Sequence, residues 1–352
     1  MRTTQDNTTH PPVPPQQKDG LPCPEPTPLA FTLLRMLADG AFHSGEMLAQ
    51  QLGISRASVN NALRGAEQWG LLLHSVRGRG YRLDPSPQWL DASLISSRLT
   101  QNNFRIEILD RATSSNTLLL QRAALGAASG SVLAVEWQNV GRGRLGRTWY
   151  SGLGNALTFS LLWRFECGPS SLSGLSLAAG VALIRGLRAM GVRGACLKWP
   201  NDVLNADGAK LAGILIEAHG DMLGPSAVVI GIGLNLSLPQ CIRQQIGQTA
   251  VGVAQMVEIM PERNHLLAVL LEELQRVLSD FARHGFAAVR AEWQGYHGLR
   301  DHAVQLRLPD GTSATGIARN VAEDGALELE MTDADGVHIR KYSVGEISLR
   351  RA

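Results

Sequence analysis

The chain has few cysteines, and their spacing excludes two common kinds of site. Its 352 residues contain Cys23, Cys167, Cys196 and Cys241, each far from the others. This spacing provides neither a Cys-x-x-Cys pair nor a zinc-type cluster. The sequence therefore predicts reduced thiols in a cytoplasmic protein.

Net charge and long apolar runs are also nearly absent. Lys and Arg number 33 against 31 Asp and Glu, a formal charge of +2, which excludes a uniformly basic nucleic-acid coat but not a local basic face. No run approaches the roughly 18 apolar residues of a membrane helix, and residues 1–20 lack the apolar core of a secretory signal. The length predicts two to three domains, large enough to fold without disulfides or metals.

The first 28 residues differ sharply in composition from the rest. They hold eight of the 16 prolines and very few apolar side chains. Such a segment buries too little surface to offset its ordering entropy, so residues 1–28 are predicted to be a disordered tail. A ligand for a proline-recognition domain is the alternative.

Residues 29–84 predict a winged helix-turn-helix domain. The predicted elements are helices over 29–38, 44–52 and 56–69, then two short strands over 71–76 and 77–83. Ser44 and Ser55 are suitable N-caps, and Gly53 provides the turn between the second and third helices. A glycine-rich tip between the strands completes the wing.

Basic residues concentrate in this domain although the whole chain is nearly neutral. Between Gln51 and Arg82 there are five arginines and one acid, Glu67. A DNA-binding winged helix uses this layout: the second helix of the helix-turn-helix motif lies in the major groove, and the wing contacts phosphates. The candidate DNA-binding residues are Ser55, Arg56, Ser58, Asn60, Asn61, Arg64, Arg77 and Arg79. A fold that serves only as a protein contact is the alternative.

Two further domains follow a proline-rich linker at 84–87. Residues 93–300 alternate strand-like segments (131–138, 156–165, 227–236) with amphipathic helices (173–190, 263–284), which predicts an α/β core with a mixed sheet. Residues 301–352 contain three Asp-Gly turns between alternating apolar runs, which favours an SH3-like β-barrel. The predicted fold class is thus a multidomain α+β protein.

The first candidate chemical motif is a glycine-arginine loop at 141–147. Its letters match the dinucleotide-binding pattern G-x-G-x-x-G, but a β-like segment follows instead of the required helix, so a Rossmann site is disfavoured. Glycine amides together with Arg142, Arg144 and Arg147 suit a bound phosphate or carboxylate. A solvated loop without a ligand is the alternative.

The second candidate is the run Lys-Trp-Pro-Asn-Asp at 198–202. Lys198 follows an apolar strand, and a lysine held there offers its cation to a carboxylate or an α-phosphate oxygen during acyl-adenylate formation. Downstream, residues 210–217 read as the returning strand of a hairpin. An ordinary surface lysine is the alternative.

Two weaker signals complete the set. Residues 113–116 (Thr-Ser-Ser-Asn) precede an apolar helix and by themselves form only an N-cap cluster. Residues 231–236 end a buried strand, where Gly231 and Gly233 permit either close approach of a ligand or a bulge.

Together these segments resemble the family of bifunctional biotin–protein ligases and biotin-operon repressors. The matching segments are 141–147, 198–202, 210–217, 231–236 and the closing 344–350, in the family's order and after a helix-turn-helix in the family's place. The resemblance covers residues 29–351. It implies a central ligase domain of class II synthetase-like fold.

The resemblance implies a two-step reaction with biotin, ATP and Mg²⁺. Biotin and ATP give biotinyl-5′-AMP, whose acyl group passes to a lysine of a carboxylase's carrier domain. The implied catalytic residues are Lys198, Arg142 and Arg144. The implied biotin-binding residues are Ser114, Ser115, Asn116, Gln138, Arg142, Gly143, Arg144 and Lys198. The implied adenylate-binding residues are Arg144, Arg147, Trp149, Asn201 and Asn235, with no metal bound by the protein alone.

The resemblance also implies regulation, with biotin as co-repressor. Biotinyl-AMP would order the loops, promote a homodimer through the central domain and permit binding to operator DNA in the cytoplasm. A ligase with a non-regulatory winged helix and a lipoate-type ligase are the alternatives. Thr113 stands where the family usually has Asp, and Leu145 where the best-known member has Arg.

Overall fold

The computed structural model describes residues 25–101, 103–220, 224–308, 310–334, 336–343 and 348–351. Most of the predicted tail, with Cys23, lies outside these residues. Residues 25–28 already belong to the folded chain, because Thr27 caps the first helix and Glu25 accepts a hydrogen bond of 2.6 Å from Asn139. Within the described part of the chain, no helix is both long and apolar enough to cross a bilayer.

The N-terminal elements form the predicted winged helix. They are α1 (Pro28–Met36), α2 (Gly45–Leu52), α3 (Arg56–Leu63), β1 (Leu73–Val76) and β2 (Gly80–Leu83). Ser44 and Ser55 cap α2 and α3 as predicted, and Gly53 ends α2 at φ 62°. The antiparallel wing pairs Leu73 with Leu83 and Val76 with Gly80.

Helix α3 is shorter than the sequence predicts. It ends at Leu63 instead of Trp69, and residues 64–70 form turns. The Trp69 ring packs on Gly65, where an added Cβ would lie within 3.0 Å of it. Glycine is a weak helix former, so this packing outweighs the helical pattern. The wing strands are also shorter than predicted, because the tip takes up residues 77–79.

The central elements build a mixed seven-stranded sheet. They are α4 (Ala92–Ser97), β3 (Arg105–Ala112), α5 (Ser115–Ala124), β4 (Ser131–Gln138), β5 (Ala156–Phe165), α6 (Leu175–Ala189), β6 (Cys196–Lys198), β7 (Asp202–Leu204), β8 (Lys210–Gly220), β9 (Ser226–Asn235), α7 (Gln240–Gln245), α8 (Arg263–His284) and α9 (Ala287–Gly295). The strand order is β3-β4-β5-β9-β8-β7-β6, and only β3 and β4 pair in parallel among these neighbours in the described chain. The predicted mixed sheet is confirmed.

Helices cover both faces of this sheet. Helices α6, α8 and α9 share one apolar core with one face, including Leu183, Leu270 and Trp293. Helix α5 packs Leu119 and Ala123 on the other face, against Leu133 and Val229. The N-terminal turn of α5 lies beside Gln138 at the end of β4, and its Asn116 contacts β8 and β9.

The C-terminal elements form an antiparallel sheet. They are β10 (Ala303–Arg307), β11 (Ser313–Val321), β12 (Leu327–Asp333), β13 (Gly336–Tyr342) and β14 (Ser348–Arg351), in the order β13-β12-β11-β10-β14. Asp310-Gly311 and Asp324-Gly325 make the first two predicted turns, while Asp335 lies outside the described residues. Closure into an SH3-like barrel stays a prediction, as do the domain boundaries.

The winged helix is docked firmly on the central sheet. Its apolar core includes Trp137 of β4 and Leu153. Leu153 N donates to Trp69 O (2.8 Å), and Asn155 Nδ2 donates to Gly70 O (2.8 Å). These bonds join the turn between α3 and the wing to the segment that follows the glycine-arginine loop.

Candidate functional site

One cavity of about 460 Å³ lies at the ends of β4, β8 and β9. Its size and mixed polar and apolar lining are typical of a small-molecule site. The predicted ligand-site residues all line it, and they are Ser114, Ser115, Asn116, Gln138, Arg142, Gly143, Arg144, Arg147, Trp149, Lys198, Asn201 and Asn235. The structure therefore brings together segments that are far apart in sequence, while the role of each residue stays a prediction.

Buried polar side chains line one end of the cavity at the start of α5. Ser114 caps the helix through Thr117 N, and Gln138 Oε1 accepts a hydrogen bond from Ser115 N at 2.7 Å. Ser160 Oγ lies 2.6 Å from Asn116 Oδ1, to which it donates, and 2.8 Å from Ser115 Oγ. The helix cap therefore forms although position 113 is Thr and not the Asp that is usual in the family.

Asn116 sits directly over a glycine of the sheet. A Cβ on Gly231 would fall within 3.0 Å of the Asn116 amide atoms. Strand β9 keeps an unbroken register with β5 and β8 here. Gly231 thus provides room for a side chain of the protein itself, and the unbroken register excludes the alternative of a bulge.

The glycine-arginine loop folds over this region without a following helix, so the Rossmann site is excluded as predicted. Gly143 N donates to Arg147 O and Trp149 N donates to Gly141 O, both at 2.7 Å. A short 3₁₀ turn spans 144–146 before β5, and Leu145 adopts a left-handed φ of 58°. Non-glycine residues in this region carry about 1–2 kcal/mol of strain.

Two arginines of the loop have different surroundings. Arg142 Nη2 donates to both carboxylate oxygens of Glu217 on β8, at 2.8 and 2.6 Å. Arg144 Nη1 lies 3.3 Å from Asn201 Oδ1. Burial lowers the pKa of Arg144, and the nearby Asp202 carboxylate opposes that change. The Arg144 guanidinium stays charged, because arginine keeps its proton even when its pKa falls somewhat.

The run at 198–202 forms the hairpin between β6 and β7. Lys198 ends β6 opposite Asp202 and lines the cavity. The Trp199 indole is fully buried and donates to Gly325 O at 3.0 Å, so the C-terminal sheet holds this turn in place. Asn201 Nδ2 donates to Ile214 O at 2.8 Å, which orients Asn201 Oδ1 towards Arg144.

Trp149 lies over a second glycine, at the other end of the cavity floor. A Cβ on Gly233 would fall within 3.0 Å of the indole ring atoms. Lys210 Nζ lies 5.8 Å from the ring centroid and 2.7 Å from Asp202 Oδ1. Asn235 Nδ2 donates to Lys210 O and Val251 O, so its amide group also orders the neighbouring segment.

Several residues around the cavity were not predicted as site residues: Asp202 and Lys210 line it, whereas Glu217 and Ser160 contact Asn116, which lines it. Glu217, Ser160, Asp202 and Lys210 contact predicted ligand-site residues through the bonds above. A serine within a mostly apolar strand, β5, was the available signal for Ser160. Glu217 carried no local signal, because its partners are distant in sequence.

The carboxylates around the cavity are too few to hold a magnesium ion by themselves, so the ion would bind together with the phosphates of a nucleotide. The described residues include no cluster of three or more His, Cys, Asp or Glu side chains. Asp202 is the nearest carboxylate to Lys198 in the hairpin and is already paired with Lys210. Since Mg²⁺ is often held by phosphates and water with one or two carboxylates, Asp202 would supply one oxygen ligand at most.

The candidate DNA-binding residues lie on α3 and the wing tip. Arg56, Asn60, Asn61, Arg64, Arg77 and Arg79 are exposed, whereas Ser58 is half-buried. The Tyr81 hydroxyl lies 3.4 Å from Asn60 Oδ1, which joins the wing to α3. Ser55 and Ser58 bond each other at the helix cap, which leaves the arginines and asparagines as the main groups available to DNA.

Comparison with known proteins finds matches for the winged helix and for the central domain. Residues 108–235 match the model of the "Biotin/lipoate A/B protein ligase family", and residues 30–82 match an "HTH domain". The chain is 38% identical to the bifunctional ligase/repressor BirA of Salmonella typhimurium, over 93% of this chain and 99% of that protein. It is 37% identical to BirA of Escherichia coli, over 91% and 97%.

Similarity to solved structures covers about 70% of the chain. The biotin protein ligase of Aquifex aeolicus, in complex with biotin and ATP, is 25% identical with a TM-score of 0.59. The match covers 70% of this chain and 99% of that one.

Proposed function

This chain belongs to the BirA family of bifunctional biotin ligases and repressors, and we propose how its cavity performs the ligase reaction. The protein activates biotin with ATP and transfers it to a lysine of a biotin carboxyl carrier protein. The observation that carries the proposal is that one cavity brings Arg144 and Lys198 together with the buried polar side chains at the start of α5 and with Trp149.

In the first step, a biotin carboxylate oxygen attacks the α-phosphorus of ATP. A carboxylate–phosphorus bond forms, and pyrophosphate leaves with the electrons of the broken bond. We assign Lys198 and Arg144 to neutralising the charge that develops at this junction, since preorganised cations stabilise such a transition state. Mg²⁺ carried by the nucleotide phosphates would neutralise the leaving pyrophosphate.

In the second step, the carrier lysine's amine attacks the acyl carbon. The bond to phosphate breaks, AMP leaves, and the amine loses a proton to solvent. We assign the polar end, with Ser114, Ser115, Asn116 and Gln138, to the ring of biotin. Arg147, Trp149, Asn201 and Asn235 are assigned to the nucleotide, and Gly143 to close backbone contact with the acyl phosphate.

Biotin-dependent exchange of labelled pyrophosphate into ATP tests the first step. Exchange with biotin and not with lipoate is expected. Exchange driven by lipoate would favour the lipoate-ligase alternative. That alternative remains because the matched family includes both biotin and lipoate ligases. A folded protein that gives no exchange with either acid would contradict the proposal.

We also propose that biotinyl-AMP controls operator binding through a homodimer of the central domain. The bonds from Leu153 and Asn155 to the turn between α3 and the wing support coupling, because both residues follow the glycine-arginine loop closely in sequence. The target would be an operator of biotin biosynthesis genes, read by the winged helix. Because that DNA lies in the cytoplasm, we propose the same location for the protein.

Gel shifts and sedimentation with and without biotinyl-AMP test this regulation. Ligand-dependent dimerisation and DNA binding are expected. Operator binding without ligand would contradict the switch, and a ligase that never binds DNA would favour the non-regulatory winged helix.

A further inference from the structure

A single carboxylate joins the polar end of the cavity to the glycine-arginine loop. Glu217 on β8 accepts a hydrogen bond of 3.0 Å from Asn116 Nδ2. The same carboxylate accepts two bonds from Arg142, at 2.8 and 2.6 Å. Glu217 therefore contacts two segments that both line the cavity, although they are far apart in sequence.

The contact with Glu217 determines how the Asn116 amide is oriented. Asn116 Nδ2 donates to Glu217 and to Leu215 O (3.2 Å), so its carbonyl oxygen faces the Ser160 hydroxyl. Gly231 leaves just enough room beneath this side chain. Without the carboxylate, the amide loses one of its two acceptors and with it part of its fixed orientation.

The contact with Arg142 ties the loop to the sheet. Arg142 also forms a β-bridge with Thr148, so the two ends of the loop are joined at the residue that Glu217 holds. A hydrogen bond between a guanidinium and a carboxylate is charge-assisted, and such bonds are among the stronger polar contacts. Arg142 is paired with the carboxylate of Glu217. Arg144 also lines the cavity, and its guanidinium contacts the amide oxygen of Asn201.

We propose that Glu217 is a positioning residue: its carboxylate, shared by Arg142 and Asn116, holds the glycine-arginine loop closed over the polar end of the cavity. Arg142 then acts mainly on the loop, and Arg144 with Lys198 acts on the reacting groups. The kinetic consequences of this inference rest on the proposed ligase function. The predicted effect on the loop does not depend on that function.

Two variants of the full-length protein separate the two contacts. Glu217→Ala removes both, whereas Glu217→Gln keeps an oxygen for Asn116 and removes the charge that binds Arg142. Glu107→Gln is the matched control, since Glu107 on β3 pairs with Arg122 in the last turn of α5 (3.0 Å to Arg122 Nη2) and neither residue lines the cavity. Thermal unfolding establishes that each variant is folded.

The kinetic test measures KM for biotin, KM for ATP, kcat and the release rate of biotinyl-AMP. Loss of a charge-assisted contact predicts a rise of about 10-fold to 100-fold in KM for biotin and in release rate for Glu217→Ala. KM for ATP should change by less than about 3-fold, and Glu217→Gln should be intermediate. Adding Glu217→Ala to Arg142→Ala should raise release little further, because the two residues act as one unit.

Hydrogen exchange of the ligand-free protein provides a readout that needs no activity. Glu217→Ala should exchange the Gly143 and Trp149 amides about 10-fold faster, with little change for the control. Unchanged exchange, unchanged release or fully additive effects in the double variant would overturn the positioning role. If wild-type protein makes no biotinyl-AMP but the loop still loosens, only the proposed function fails.

Discussion

Two glycines under the cavity allow its ends to be perturbed separately. Gly231→Ala would place a methyl group against the Asn116 amide, and Gly233→Ala would place one against the Trp149 indole, each within 3.0 Å. Neither glycine has a positive φ, so alanine introduces no backbone strain of its own. Each substitution should therefore act through the side chain that it displaces.

The packing gives the size of the expected effect. An added methyl group in a closely packed site costs about 1–3 kcal/mol. Where the side chain moves and the strand does not, this energy appears as lost ligand affinity, about 5-fold to 150-fold. Gly231→Ala should raise KM for biotin by this factor, and Gly233→Ala should raise KM for ATP.

Steady-state transfer assays with each substrate varied in turn would measure both constants. Gly295→Ala is the control, because a Cβ there has no neighbour within 4 Å. Thermal unfolding identifies a variant that is simply unstable. Folded variants that raise the same KM, or that raise neither, would refute the assignment of the two ends of the cavity.

Three further substitutions test other parts of the account. Lys198→Ala should fold normally and lose most adenylation activity. The expected loss in kcat is on the order of 100-fold, the effect of one preorganised cation, and pyrophosphate exchange measures it. Wild-type turnover in this variant would remove Lys198 from the mechanism. Arg144→Ala should release biotinyl-AMP faster, about 10-fold, in a filter-binding chase, and an unchanged release rate would count against its role. Burial lowers the pKa of His297 from 6.5 to about 4. Because the unfolded chain takes up a proton first, stability should fall as pH drops from about 6.5 to about 4, by at most about 3 kcal/mol. His297→Gln should flatten this part of the pH profile in urea unfolding, and an unaltered profile would assign it to other groups.

Elements with strong local signals were predicted closely. Residues 131–138, 156–165 and 263–284 form β4, β5 and α8 as expected, because long buried runs and amphipathic periodicity depend little on distant contacts. Helix α3 was predicted too long, since the turn at residues 64–70 makes contacts with distant residues, such as the bonds from Leu153 to Trp69 and from Asn155 to Gly70.

The site was predicted less completely than the elements around it. Motif residues such as Arg144 and Lys198 were found because their sequence runs are distinctive. Glu217 was missed because its partners Arg142 and Asn116 lie 75 and 101 residues away, and only the sheet register brings them together. The extent of β-barrel closure near the C-terminus likewise depends on long-range pairing that alternation alone does not specify.

The most direct test of the central claim is transfer of biotin to a purified biotin carboxyl carrier domain. The protein, biotin and Mg-ATP are incubated with the carrier domain, and its intact mass is measured, with Lys198→Ala protein in parallel. The account predicts one added biotinyl group per carrier domain with wild-type protein and very little with Lys198→Ala. A folded wild-type protein that binds biotin and leaves the carrier mass unchanged would contradict it.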